Sequence, residues 1–281
     1  MNLKLEELTA LYSPLDIEYN QVMSGPYEDL SFRSDECTII AGLKDDRISG
    51  FWRPAVAVGD DKLQKAQIDR LYSICPNIYY MDFLIDGKLS VVSQFLLEKG
   101  YKAKPYYTQI IDTSQNPVFL HTEIRESYKS LVNKYKDVGY GNISDYRRIH
   151  NLTTKDRCEE SWKIQQKMID TKEADCMVDG ENAAILIYHN EYSAYYAGGK
   201  SVPNFNSHAL IWQAIIRNKG KMFELGERVF SPLIDLPEGN YGGMDMTKGT
   251  VIDNKLINIS KFKKGFGGTT QTRLILEKEN Q

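Results

Sequence analysis

The chain has 281 residues, of which 42% are hydrophobic, 26% charged and 11% aromatic, and its formal net charge is −3. That composition excludes an intrinsically disordered chain and leaves room for one large or two ordinary domains. The slight negative charge gives the whole molecule no electrostatic attraction for nucleic acid.

The charge is unevenly spread. Residues 1–119 hold 12 basic and 17 acidic side chains, whereas residues 120–281 hold 23 and 21. An anionic ligand is therefore expected in the second half. Eighteen tyrosines suit half-buried sheet surfaces and pockets for polar ligands. Cys37, Cys75, Cys158 and Cys176 show no CxxC spacing and read as reduced thiols. The N-terminus lacks signal-peptide character, and no apolar run is long enough for a membrane span, so a cytoplasmic protein is expected.

In chain order, residues 1–35 read as irregular, with one short helix and turn signals at Ser13-Pro14 and Ser24-Gly25-Pro26. Two strands follow at 37–43 and 50–58, joined by the polar turn 44–47. Gly59-Asp60-Asp61 opens a helix that Pro76 stops, with Leu63, Ile68, Leu71 and Ile74 near helical spacing. A strand at 78–83, a helix at 89–99 capped by Gly100 and a strand at 106–111 complete the first half.

A linker-like turn at 112–117 separates it from the second half. There the patterns predict a helix over 123–136, a short strand over 143–149 and a helix over 155–171. Strands over 182–189 and 192–197 join at a tight turn. A helix over 205–218 carries the stripe Leu210, Ile211, Ala214 and Ile215, and a strand runs over 222–225. Residues 231–249 read as a long loop or lid. The last stretch, Ile259 to Gly268, holds three lysines, two phenylalanines and three glycines, and leads into a strand over 270–276. Its glycines permit positive φ and a close approach to a ligand. Lys263 and Lys264 supply point charges for a phosphate, carboxylate or developing oxyanion, or else decorate a solvated turn.

The first half resembles the GNAT acyltransferase fold in its order of strands and helices, and Phe95 to Tyr101 is similar to that fold's closing helix-to-strand passage. The segments Asn206–Gly220, Met222–Glu227 and Phe262–Gly268, with the basic helix Ile124–Lys134, resemble the Fem-type peptidyltransferases over about residues 120–277. Within that group the chain is more similar to a branch found among bacterial surface-polysaccharide proteins, on His150, Arg157, Ser161-Trp162, Gln165, His208 and Glu224/Glu227.

The resemblance implies an α/β (α+β) chain of two tandem GNAT-like domains, each a mixed sheet flanked by helices, over 1–117 (degenerate) and 118–281. It implies an enzyme that transfers an acyl or aminoacyl group to an amine of a sugar- or peptide-bearing cell-envelope precursor. Acyl-coenzyme A, with acetyl-CoA foremost, or aminoacyl-tRNA would be the donor, and no cofactor would be tightly bound. The partner would be a nucleotide- or lipid-linked amino sugar, with tRNA as the alternative and no DNA. No segment matches the long helical arm of the peptidoglycan-bridge enzymes, and no Gln/Arg-x-x-Gly-x-Gly/Ala pyrophosphate loop is present. A catalytically inactive scaffold in envelope polysaccharide synthesis is the non-enzymatic alternative.

Acyl transfer to an amine needs a proton acceptor, an oxyanion donor and a substrate clamp. Lys263 is assigned the oxyanion or phosphate contact, with Lys264 as a second contact. His208 opens a helix, where it serves either as a base or as a capping residue. Glu227 lies at a strand end, where α/β sites tend to sit, and Glu224 is an alternative base or substrate contact. Arg157 holds a phosphate or carboxylate, or pairs on the surface, and it is expected on one helix with Trp162 and Gln165. Tyr195, Tyr196 and Trp212 wall a sugar pocket or belong to the core. Trp52-Arg53-Pro54 is a further candidate contact in the first half. No metal site is expected, because His121, His150, His189 and His208 lack ligand spacing.

Overall fold

The computed structural model describes residues 3–133, 138–228 and 254–278. The first half contains α1 (Leu5–Leu8), α2 (Pro14–Ser24), β1 (Glu28–Asp29), β2 (Phe32–Arg33), β3 (Cys37–Ile40), β4 (Gly42–Lys44), β5 (Arg47–Ser49) and β6 (Val56–Gly59). These are followed by α3 (Asp61–Ile74), β7 (Tyr80–Asp82), α4 (Val91–Glu98) and β8 (Lys102–Asp112). The second half contains α5 (Pro117–Glu123), α6 (Glu126–Val132), β9 (Val138–Gly141), α7 (Ile143–Thr153), α8 (Glu159–Asp170), β10 (Ala174–Asp179), β11 (Ala183–His189) and β12 (Ser193–Ser201). It ends with α9 (His208–Arg217), β13 (Met222–Arg228), α10 (Asn254–Lys264) and β14 (Thr269–Glu277).

Several elements follow from local chemistry. Asp60 caps α3 by accepting from the amides of Lys62 and Leu63. Ser13 caps α2, and Pro14 occupies its first turn. The pair read as a turn signal is therefore a helix start, and residues 14–24 are regular. Residues 143–149, expected as a strand, belong to α7. Asn142 and Asp145 form a capping box there, and Ile143, Tyr146, Ile149 and His150 lie buried along one helical face. The helix expected over 123–136 breaks at Ile124-Arg125 into α5 and α6. Strands β9 and β10 were not foreseen. The 231–249 loop lies outside the described residues.

The fold is mixed α/β. Its main sheet has eight strands in the order β7-β14-β8-β13-β12-β11-β10-β9. Every neighbouring pair is antiparallel except β12 and β13. Two three-stranded sheets, β1-β4-β5 and β2-β3-β6, meet its β7 end through bridges from Ile48 to Ile78 and from Ala55 to Tyr80.

The C-terminal strand β14 lies between β7 and β8 of the first half, and β8 pairs with β13 of the second. Both halves are thereby joined in one hydrogen-bonded sheet. In the second half, α6 and α9 bury an apolar cluster on one face, including Ile124, Tyr128, Leu210, Ile211, Phe223 and Phe266. On the other face α7 and α8 bury Ile149 and Trp162 against Cys176 and Leu186. Helices α3 and α4 cover the first half with Ile68, Leu71, Val92 and Leu96.

Candidate active site

Strands β12 and β13 run parallel over three registered pairs, ending at Tyr195 and Glu224. Beyond this point β12 continues against β11, and β13 continues against β8. The two parallel strands part, and β13 bulges between Glu224 and Glu227 with Gly226 at φ +80°. A side chain at Gly226 would lie 3.1 Å from the Tyr195 hydroxyl and 3.4 Å from Lys263 Nζ. The bulge therefore brings Lys263 and Tyr195 to one point.

Lys263 lies in the last turn of α10 with Lys261 and Lys264. Cations there are favoured by the helix dipole. The lysine-glycine stretch is thus a helix end rather than a free turn. Lys263 Nζ donates to the Glu227 carbonyl at 2.6 Å. Burial lowers its pKa to about 8, while the Glu227 and Glu224 carboxylates pull it upward. The side chain is half-buried, as is that of Lys264.

The glycines of this stretch approach protein rather than open space. A Cβ at Gly265 would meet the Tyr128 ring at 2.2 Å, and one at Gly268, at φ +75°, would meet the Ile110 carbonyl at 2.2 Å. The Gly265 carbonyl accepts from the Arg125 amide at 2.9 Å, and that of Gly267 accepts from Gln109 Nε2 at 2.6 Å. These contacts fix the end of α10 against β8 and so hold Lys263 in place.

Glu224 is buried and takes both guanidinium nitrogens of Arg273, at 3.0 and 2.9 Å. Thr108 Oγ1 donates to it at 2.8 Å. Its carboxylate is occupied by this pair, which ties β13 to β8 and β14. Glu227 contributes its backbone carbonyl to Lys263, while its side chain is exposed.

His208 heads α9, and its ring is enclosed by Tyr128, Phe262 and Phe266 at centroid distances of 4.1, 4.9 and 5.6 Å. Its Nδ1 is paired with Asn206 Oδ1, and its buried Nε2 has no hydrogen-bond partner among the described residues. Burial, with the Arg125 charge second, lowers its pKa to about 4. The ring is neutral near pH 7 and weakly basic. It packs on Phe262, the neighbour of Lys263, rather than hydrogen-bonding to Lys263 or Glu227.

A second group of residues lines a cavity of about 170 Å³ between the halves. Arg157 donates to the Tyr19 hydroxyl at 2.8 Å and to Gln165 Oε1 at 3.2 Å, and it lies over the Trp162 ring at 4.7 Å. Gln165 Nε2 donates to the Tyr188 hydroxyl at 2.9 Å. Arg53 enters from the first half and pairs with the buried carboxylate of Asp16 at 3.0 Å. Burial opposes its charge, but the Asp16 carboxylate outweighs this and holds its pKa above the ordinary arginine value.

Tyr195 also lines this cavity. It therefore connects the arginine cavity with the Lys263 end of the cleft. Trp162 is buried, and its Nε1 donates to Asp156 at 2.8 Å. Trp212 is 7% exposed in the core beside α6 and faces His121. Neither tryptophan lines the cavity. His150 is buried against Trp162.

The structure thus brings together Lys263, Tyr195 and the Glu227 backbone at one end, and Arg157, Gln165 and Tyr195 at the other. It separates His208 and Trp212 from both. Tyr19 and Tyr188 carried no local signal, because they join Arg157 and Gln165 respectively from distant parts of the chain. Glu224 and Arg273 likewise lie 49 positions apart.

No family model matches the chain, and no curated protein matches it. Solved structures do. FemX superposes with a TM-score of 0.66 over 98% of this chain and 92% of its own, at 11% identity. The chain has the Fem-type fold. The same fold extends to L-PGS from Bacillus licheniformis, with a TM-score of 0.57 at 12% identity over 99% of this chain and 95% of that one. A conserved protein of unknown function from Bacteroides thetaiotaomicron matches at 0.53 and 11% identity over 99% of both chains. Within this Fem-type fold, the parting of β12 from β13 and the β8–β14 pair position the cleft.

Proposed function

We propose that this protein is a transferase that moves an acyl group from a coenzyme A thioester, acetyl-CoA foremost, to an amine of a sugar- or peptide-bearing cell-envelope precursor. The observation that carries the reading is Lys263, half-buried and fixed on the Glu227 carbonyl where two parallel strands part. Its pKa of about 8 leaves it mostly protonated at pH 7. A cation in a partly dry cleft stabilises a developing oxyanion more than one in bulk water. The parted strand edges suit an extended, amide-bearing arm, which coenzyme A provides. Arg157 and the tyrosines suit an acceptor that carries an anionic group.

In this mechanism the acceptor nitrogen attacks the thioester carbonyl while Lys263 Nζ steadies the oxyanion. The new C–N bond forms, the C–S bond breaks and the thiolate leaves. The exposed Glu227 carboxylate takes the proton that the amine loses, and a proton returns to the thiolate. Lys264 is a second contact for the donor phosphates. Glu224 and Trp162 serve the site by holding its framework, and His208 by packing behind Phe262.

The cellular setting we infer is cytoplasmic polysaccharide biosynthesis on a nucleotide- or lipid-linked amino sugar. No helix among the described residues is long and apolar enough to cross a membrane. Residues 1–117 and 118–281 are proposed as two GNAT-like units that share the β8–β14 pair.

Incubation with acetyl-CoA and amino-sugar precursors, monitored for free thiol and for acylated product by mass spectrometry, tests the reaction. Full activity in Lys263→Ala would remove the assigned role. The lysines Lys261, Lys263 and Lys264 at the end of α10 also favour a polyanionic donor, so aminoacyl-tRNA is the second reading. Binding of charged tRNA that weakens steeply with salt would select it.

A further inference from the structure

A second cavity, of about 290 Å³, is lined by the start of α2 at Pro14 and Asp16, whereas Tyr19 and Asn20 of the same helix line the arginine cavity. Its apolar walls come from three parts of the fold: Leu5, Ala10 and Leu11 ahead of α2, Ile40 on β3 and Met168 on α8. The side nearest α1 is pinned to the β11–β12 turn. Asn190 Nδ2 donates to the carbonyls of Glu6 and Thr9 at 3.0 and 3.2 Å, and Ser193 Oγ donates to that of Glu6 at 3.1 Å. Tyr12 lines the cavity at φ +70°, a strained conformation for a ring-bearing residue. Its amide donates to Asp16 and its hydroxyl to the Pro54 carbonyl, both at 2.9 Å. The space is therefore held open by the fold around it.

Glu173 lines the same cavity and is half-buried. Its Oε1 accepts from Thr171 Oγ1 at 3.2 Å, but its buried Oε2 has no hydrogen-bond partner among the described residues. A carboxylate oxygen withdrawn from water without a donor is costly, and a cation beside it removes that cost. The other charged groups of the lining do not supply one. Asp16 is paired with Arg53 at 3.0 Å. Arg33 is exposed, where water weakens its field. His189 Nδ1 lies 3.3 Å from Lys221 Nζ and its Nε2 lies 3.5 Å from the Asp175 carboxylate, so its ring nitrogens face those groups. An apolar volume with one uncompensated carboxylate fits an organic cation.

We infer that this cavity is a second ligand site, which takes a small primary amine with an apolar body. The ammonium donates the hydrogen bond that Glu173 Oε2 lacks, and the body displaces water from the apolar walls. A cavity of about 150 Å³ holds benzene, so this one has room for roughly a dozen heavy atoms. Neither the donor nor the acceptor of the proposed transfer is involved. The lining shares only Tyr188 with the arginine cavity. An occupant would nonetheless meet Asp16, which holds Arg53, and Tyr188, whose hydroxyl accepts from Gln165 at 2.9 Å. The site is thus placed for an effector of the cleft rather than a substrate.

Titration calorimetry of the full chain with three ligands of one shape tests this: 4-phenylbutylamine, the neutral 4-phenylbutanol and the anionic 4-phenylbutyrate. The amine is expected to bind with a dissociation constant below about 1 mM, and the other two at least about tenfold more weakly. Glu173→Gln should weaken the amine about tenfold and leave the alcohol unchanged. Met168→Trp, which fills the cavity from α8, should abolish binding of the amine. Ala10→Leu fills it from a different wall and should weaken amine and alcohol alike. Circular dichroism confirms that each variant is folded.

An alcohol that binds as tightly as the amine overturns the assignment, as does an amine that binds Glu173→Gln as well as the parent. Absence of amine binding up to about 10 mM does the same. Arg157→Gln and Lys263→Ala are expected to leave amine binding unchanged, and its loss in either variant would place the amine in the transfer cleft instead. Failure of the transfer reading leaves all of these expectations intact.

Discussion

Lys263 lies beside the parted strands and His208 among Tyr128, Phe262 and Phe266, and burial treats the two bases alike. It lowers the pKa of both. They differ in the charges around them. Lys263 has the Glu227 and Glu224 carboxylates nearby and falls from 10.5 to about 8, whereas His208 has the Arg125 cation nearby and falls from 6.5 to about 4. Both fall by a similar amount, so the lysine keeps its charge near neutral pH because its ordinary pKa of 10.5 lies well above the 6.5 of histidine. The lysine therefore remains an electrophilic contact, while the histidine becomes packing.

The largest way to disturb this contrast is to remove the carboxylate frame. Glu224→Gln leaves Arg273 buried without its counter-charge, and arginine cannot release its proton. A loss of about 3–5 kcal/mol in stability is expected by urea unfolding. Arg273→Met should cost less, because Glu224 can take up a proton instead. Equal stability of Glu224→Gln and the parent would refute a structural role for this pair.

Lys263→Ala should lower kcat by about 10²–10³-fold with the fold intact. Lys263→Arg should keep part of the activity. The pH profile supplies a sharper test. The cationic form is present below the folded pKa, so activity should fall as pH rises through about 8. In Lys263→Arg this limb should disappear, and an unchanged limb would assign it to another group.

The same shift predicts an effect on stability with a defined sign. The folded pKa of Lys263 lies below its ordinary value of 10.5, so protonation opposes folding. The penalty is complete below about pH 8 and is relieved as pH rises toward 10.5. Lys263→Met should therefore be more stable than the parent at pH 7, with a margin that shrinks toward pH 10 in thermal unfolding. A margin that grows with pH would contradict the desolvated cation.

The smallest effect is expected at the other end. His208→Phe should change kcat by less than about tenfold, because a base of such low pKa contributes little proton transfer near pH 7. The His208 ring resonances should stay in the neutral form from pH 5 to 8 when followed by NMR, since its folded pKa is about 4. Titration near 6.5 would restore the histidine as a candidate base.

Much of the layout was legible from residue pattern. Asp60 before an apolar period of helical spacing foretold α3, and the stripe from Leu210 to Ile215 foretold α9. The glycine-lysine stretch was found, but its secondary structure was not. Lys263 sits on a helix end, and the glycines close on Tyr128 and Ile110. Residues 143–149 misled because isoleucines at both ends of a short window favour a strand, while the capping box at Asn142 and Asp145 favours the helix that forms. Trp52 was legible only as a candidate contact beside Arg53 and Pro54, and its exposure was not, since that follows from a turn whose left-handed residues would ordinarily be glycine or asparagine.

The sequence by itself determined helices such as α3 and α9 and where the cationic C-terminal stretch lies, because periodicity and capping act over a few neighbouring residues. Only the tertiary structure decided that β14 enters between β7 and β8, that Arg273 neutralises Glu224 and that Tyr19, Arg53 and Arg157 share one cavity. Strand pairing and desolvation depend on groups brought together from distant positions.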